Sequence, residues 1–186
     1  MKHRLDTHRW RQRLPHAALW FFAYSVMGWL YEVTLEVVVY RWGYSDRGVL
    51  FGPYCPIYGF GVLGFLLCFY GLAHDGRWPL WRRLAVSFTG CTALATALEL
   101  ASSYLLEWIT GSWPWSYTTY RFHYQGRIAL SASLRFGLGG VLILFVLHPL
   151  LRRFTAALPE RGRERLAAAV VLLLLADLTA TLLLRL

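Results

Sequence analysis

The chain has 186 residues, of which 57% are hydrophobic and 16% charged, and its formal net charge is +9. So little charge excludes an ordinary soluble domain, which needs a more polar surface, and matches a polytopic membrane protein. The basic residues lie in short clusters between apolar runs, which excludes a nucleic-acid groove binder.

Taken from the N-terminus, residues 1–16 form a basic arm with Lys2, Arg4, Arg9, Arg11 and Arg13 around Trp10. Such an arm suits the anionic cytoplasmic face of a bilayer. The apolar run that follows is too long for a signal peptide and lacks a small-residue cleavage site. It is the first of five predicted transmembrane helices, at about 17–40, 57–73, 84–109, 128–150 and 166–184, each long enough to cross. The fold expected is all-α: a polytopic membrane helix bundle with a four-span core over 17–150 and two ordered outer loops. An Arg-rich linker and an appended, nearly pure Leu/Ala/Val fifth helix occupy 151–186.

Between the first two spans lies Asp46-Arg47-Gly48, followed by Phe51-Gly52-Pro53-Tyr54-Cys55-Pro56-Ile57-Tyr58-Gly59. Gly48, Gly52, Pro53, Pro56 and Gly59 prevent either helix from continuing and predict a folded loop, with Cys55 packed inside it. The second outer loop, 110–127, carries Trp113, Trp115, Tyr117 and Tyr120. An interfacial aromatic belt is the simplest expectation for those rings. Thirteen Lys and Arg fall on the side of the N-terminal arm and five on the other, with Arg135 inside the fourth span. The positive-inside rule then predicts a cytoplasmic N-terminus, and five crossings put the C-terminus outside.

Polar side chains within the spans recur at helical spacing. Ser25, Gly28, Glu32 and Glu36 share one face of the first; Thr92, Thr96, Glu99, Ser103 and Glu107 share one of the third; Ser131, Arg135 and Gly139 stand four apart in the fourth. Glu32, Glu99 and Arg135 lie at one predicted depth, about 12–15 Å from the outer end. They are expected to meet in a buried pocket, with Arg135 pairing Glu32 or Glu99. Glu36, Glu107, Arg47, Tyr58 and Arg127 extend this polar set toward the loops. Asp177 and Thr181 in the fifth span predict a local hydrogen bond or a contact with another helix.

Other motifs carry no chemistry. Gly59-Phe60-Gly61-Val62-Leu63-Gly64 matches a dinucleotide fingerprint in letters only, because no strand precedes it. Lys2 is the sole lysine, so a P-loop is impossible, and no hydrolase motif is present. Neither Cys55, Cys68 and Cys91 nor the histidines have metal-ligand spacing. No cofactor and no metal are expected, and enzymatic activity is not favoured.

Gly28-Trp29-Leu30-Tyr31-Glu32 and the Gly/Pro loop through Gly61, continuing through Glu99, Glu107, Trp115-Ser116-Tyr117 and Gly126-Arg127-Ile128, resemble the bacterial putative type IV ABC-transporter permease family (CmpB-like integral membrane proteins). The resemblance covers about residues 18–145 and departs from the family pattern at Asp46, Ser116 and Arg135. It implies a multi-pass, transport-associated protein of the bacterial inner (cytoplasmic) membrane, with the bilayer as partner and a separate ATPase subunit or further copies completing it. A membrane enzyme acting on a lipid or lipid-linked substrate, and a non-catalytic assembly partner, remain alternatives.

Overall fold

A computed structural model describes residues 2–45 and 48–184, with side chains from residue 13 onward. Helix α1 (Lys2–Thr34) passes into a π-helical stretch, Leu35–Val39, and α2 (Pro56–Ala73) and α3 (Leu80–Thr110) follow. Two short strands, β1 (His123–Tyr124) and β2 (Ile128–Ala129), pair antiparallel. The chain ends with α4 (Leu130–Leu142), a second π-helical stretch (Ile143–Leu147), α5 (His148–Ala157) and α6 (Glu160–Leu184). Among the described residues, five stretches are long and apolar enough to cross a membrane: Arg13–Val39, Pro56–Ala73, Leu80–Thr110, Leu130–Ala157 and Glu160–Leu184. This is the all-α bundle expected from the hydropathy.

Two boundaries differ from the sequence reading. The basic arm is the first part of α1 rather than a separate segment, and Pro15 lies inside that helix. The 151–165 linker is helical except at Leu158 and Pro159, between α5 and α6. Arg, Leu and Ala are good helix formers, so charge alone does not end a helix, whereas Pro159 does.

By contacts the chain forms two compact units, Met1–Leu63 with Leu150–Leu186, and Gly64–Pro149. In the first, α1 packs on α6 through Leu19, Ala167 and Val170, flanked by Ala18, Phe22, Leu158 and Leu174. Trp20 Nε1 donates to Thr155 Oγ1 at 3.0 Å beside this seam. One face of the fifth helix is therefore packed on the first, while Leu172 and Leu183 stay exposed for lipid. The start of α2 approaches α1 closely: a Cβ at Gly28 would overlap the Tyr58 ring, and one at Gly59 would meet Ser25 and Phe21.

In the second unit α3 packs on α4. Thr96 Oγ1 donates to Ser133 Oγ at 2.8 Å, and a Cβ at Gly137 would run into Thr92 and the Phe88 ring. Membrane helices associate by close backbone approach at such small residues, because lipid supplies no hydrophobic drive. Gly137→Ala is expected to destabilise by about 1–3 kcal/mol, the usual cost of overpacking. Gly139→Ala, where nothing lies within 4 Å of the added carbon, is expected to be silent. Thermal unfolding of both variants in detergent checks the contrast. In the α2–α3 turn, hydrogen bonds from Arg77 hold the Asp75 carboxyl down at about 2.

Candidate functional site

In the second unit the polar side chains gather where α3 meets the 110–129 loop. Gly111 ends α3 with φ +78°, and its N–H donates to Glu107 O at 2.9 Å. The loop then turns back on itself at the β1–β2 hairpin. Arg127 N–H donates to Tyr124 O at 2.9 Å, and positive φ at Gln125 (+52°) and Gly126 (+69°) makes this a type I′ turn. A Cβ at Gly126 would lie 2.9 Å from Thr118 Cγ2. Tyr117 N–H donates to Gly126 O at 2.8 Å, and Trp115 Nε1 donates to Arg127 O at 2.9 Å.

These bonds fix Arg127, which is only 6% exposed. Its Nη2 donates to Glu107 Oε2 at 2.5 Å and its Nη1 to Ser103 Oγ at 3.3 Å. The guanidinium is also sandwiched between rings, with Cζ 3.9 Å from the centre of Trp113 and 4.1 Å from that of Tyr104. Cation–π attraction is strongest when the cation is stripped of water, as here. One turn deeper on α3, buried Glu99 accepts the Tyr117 hydroxyl at 2.7 Å. Thr92, Thr96, Glu99, Ser103 and Glu107 thus lie on the side of α3 that meets α4 and the 110–129 loop.

In the first unit, Glu32 accepts the Tyr58 hydroxyl. Glu36 lies in the π-helical stretch, 5% exposed, and accepts from Ser45 Oγ at 2.6 Å and Ser45 N–H at 3.3 Å. A π-turn adds a residue to the helix and re-aims the side chains around it, and such turns recur at functional sites. The Gly/Pro loop is held by Asp177 of α6. That carboxylate accepts Phe51 N–H at 2.9 Å, Gly52 N–H at 2.8 Å, the Tyr54 hydroxyl, and Thr181 Oγ1 at 3.2 Å. Burial first, then the Asp177 bond, pushes the Tyr54 phenol well above its ordinary pKa. Gly48 is fixed at φ +116°, a conformation open to glycine and strained for other residues. Cys55 is buried with its N–H on Ser25 O at 2.9 Å, Pro56 opens α2, and Pro53 is exposed. Arg47 lies outside the described residues.

Of the three groups expected to meet, Glu32 belongs to the first unit, and Glu99 and Arg135 to the second. Arg135 Nε donates to Ser131 O at 3.3 Å, four residues back on its own helix. The face of α4 packed on α3 is Ser133–Gly137–Gly140 rather than Ser131–Arg135–Gly139. Trp113, Trp115 and Tyr117 also differ from the expected belt, because their rings point into the Arg127 and Glu99 networks. Sequence reasoning missed Ser45, Tyr104 and the reach of Asp177. The signal for Asp177 was available, since it is the one charged residue in an otherwise apolar 166–184 stretch.

A family model described as Putative ABC-transporter type IV matches residues 19–182. No curated protein and no solved structure matches the chain.

Proposed function

This chain belongs to the Putative ABC-transporter type IV family, and from that membership we propose that it is the permease-like, membrane-spanning part of a transporter. It is a multi-pass membrane protein with a transport-associated role. The observation that carries the finer reading is the burial of Glu36 and Glu99, at 5% and 8% exposure, inside helices long enough to cross. Ionisable groups buried within spanning helices are costly, and membrane proteins retain them mainly where a solute, an ion or a proton passes. Each carboxylate is met by a hydroxyl: Glu32 by Tyr58, Glu36 by Ser45, Glu99 by Tyr117. A polar solute that offers its own donors exchanges with those hydroxyls at little cost. Glu107 and Arg127 supply further polar contacts on the loop side of Glu99. The Lys/Arg asymmetry supports a cytoplasmic N-terminus in the cytoplasmic membrane.

These 186 residues hold one lysine and no P-loop, so we assign ATP hydrolysis to a separate ATPase subunit. Tagged protein purified from native membranes in mild detergent is expected to bring down a Walker-motif ATPase in fixed ratio. Glu36→Gln with Glu99→Gln is expected to leave that complex intact while abolishing stimulation of its ATPase activity by substrate-containing extract. Recovery of the chain with no ATPase would overturn the reading. A second reading, a non-catalytic assembly partner, is favoured by the Asp177 clamp, where two backbone N–H groups and two hydroxyls serve one carboxylate in a purely structural arrangement. An intact complex with unchanged stimulation in the double variant would select it.

A further inference from the structure

The loop end of α4 carries a cleft that none of the networks above uses. Its volume is about 200 Å³, and it is lined by Tyr120, Arg121, Phe122, Leu130, Ser131 and Leu134. Leu130 and Leu134 stand one turn apart on one face of α4, 52% and 40% exposed, and Phe122 beside them is 64% exposed. Leu130 is also the first residue of the Leu130–Ala157 span, so the cleft sits where a crossing helix leaves the hydrocarbon. The Arg121 guanidinium lies 5.5 Å from the centre of the Phe122 ring, and no carboxylate among the described residues pairs with it. Ala129 offers the start of α4 no side-chain cap; Leu130 N–H is taken by Phe122 O at 3.0 Å, and the next first-turn N–H groups lie at the Ser131 end of the cleft.

Charge, apolar wall and membrane depth therefore coincide, and we infer that this cleft holds an anionic phospholipid, with its phosphate at Arg121 and Ser131 and its acyl chains along Leu130, Leu134 and Phe122. The volume takes the glycerophosphate group and leaves the tails in the bilayer against the outer face of α4. A free phosphate would use the arginine but has no need of three exposed apolar side chains. An acidic protein would not require the arginine to sit at the end of a membrane span. The inference is independent of the transport reading, since it uses none of the carboxylates.

Native mass spectrometry of the full chain in detergent, titrated with phosphatidylglycerol and with phosphatidylcholine of the same tails, tests it. Phosphatidylglycerol is expected to be retained more strongly. Arg121→Gln is expected to weaken it about fivefold, the effect of one basic side chain at an anionic surface. Arg121→Lys is expected to keep most of the preference, and Leu134→Ser to weaken both lipids. Arg161→Gln, which removes a cation from α6, is expected to leave the preference unchanged. Equal retention of the two lipids, an Arg121→Gln protein that behaves as wild type, or an equal loss in Arg161→Gln would overturn the inference. Displacement of the lipid by inorganic phosphate would assign the cleft to a free anion and overturn it as well.

Discussion

Arg127→Ala is expected to be the most destabilising single change outside the helix seams, by about 2–4 kcal/mol. Three losses coincide at this position. The Glu107 carboxylate loses the cation 2.5 Å from it, Ser103 loses a donor, and Tyr104 and Trp113 lose the group packed between them. Breaking a fully buried ion pair costs about 3–5 kcal/mol because a charge is left uncompensated. Glu107 is 40% exposed on its side chain, so water recovers part of that loss, and the lower range applies. Arg127→Lys is expected to restore less than half. An ammonium has no flat face to lie between two rings and cannot reach Ser103 and Glu107 in one plane. Glu107→Gln is expected to cost only about 1 kcal/mol, since the amide oxygen still accepts from Nη2. Unfolding of purified protein in mixed detergents measures all three, and an Arg127→Ala protein within 0.5 kcal/mol of wild type, against the scale of an ordinary surface change, sinks the account.

The sequence carried this network in part. Ser103 and Glu107 are spaced to share a face of α3, and helical periodicity alone assigns them to it. The same rule picked the face of α1 with Ser25, Gly28, Glu32 and Glu36, of which the first three turn toward Tyr58 and Gly59 while Glu36 meets Ser45. On α4 the rule failed. Two rows with helical spacing run along that helix, Ser131–Arg135–Gly139 and Ser133–Gly137–Gly140, and polarity favoured the first. Packing chose the second, because only Gly137 and Gly140 let the backbone approach Thr92, Phe88 and Cys91. The aromatic loop was ambiguous for another reason. Trp and Tyr suit a headgroup belt and a polar interior equally by composition, and only the type I′ turn at Gln125–Gly126 brings Arg127 back under Trp113 and Trp115. Contacts between residues more than a hundred positions apart, such as Asp177 with the Gly/Pro loop, have no local spacing to betray them.

That distant contact yields the second large effect. Asp177→Ala is expected to free the Gly/Pro loop and expose Cys55, which is 6% exposed in the native protein. The reason is the number of donors that one carboxylate serves. Phe51 N–H, Gly52 N–H and the Tyr54 hydroxyl all converge on it from the loop; the Phe51 bond is exposed, while the Gly52 and Tyr54 donors are partly buried, and a buried donor left without an acceptor costs about 1–3 kcal/mol. The short-range bond from Tyr54 N–H to Gly52 O, at 2.8 Å, accepts none of those three donors, and Gly48, Gly52 and Pro53 give the loop little helical or strand alternative. With Cys68 and Cys91 replaced by Ala, labelling of Cys55 by a water-soluble maleimide is expected to accelerate at least about tenfold, the factor for 1.4 kcal/mol of loop opening. Asp177→Asn is expected to fall between wild type and Asp177→Ala, because its amide oxygen still accepts on one side while its NH2 faces the N–H on the other, Phe51 at the Oδ1 position or Gly52 at the Oδ2 position. Tyr54→Phe, which removes one donor and leaves the two backbone bonds, is expected to fall between wild type and Asp177→Ala. Thr181→Val is expected to leave labelling unchanged, since Thr181 bonds Asp177 from within α6 and touches no loop atom through that bond. Unaltered Cys55 labelling in Asp177→Ala would show that the loop holds its shape without the last helix, and the clamp would lose its meaning.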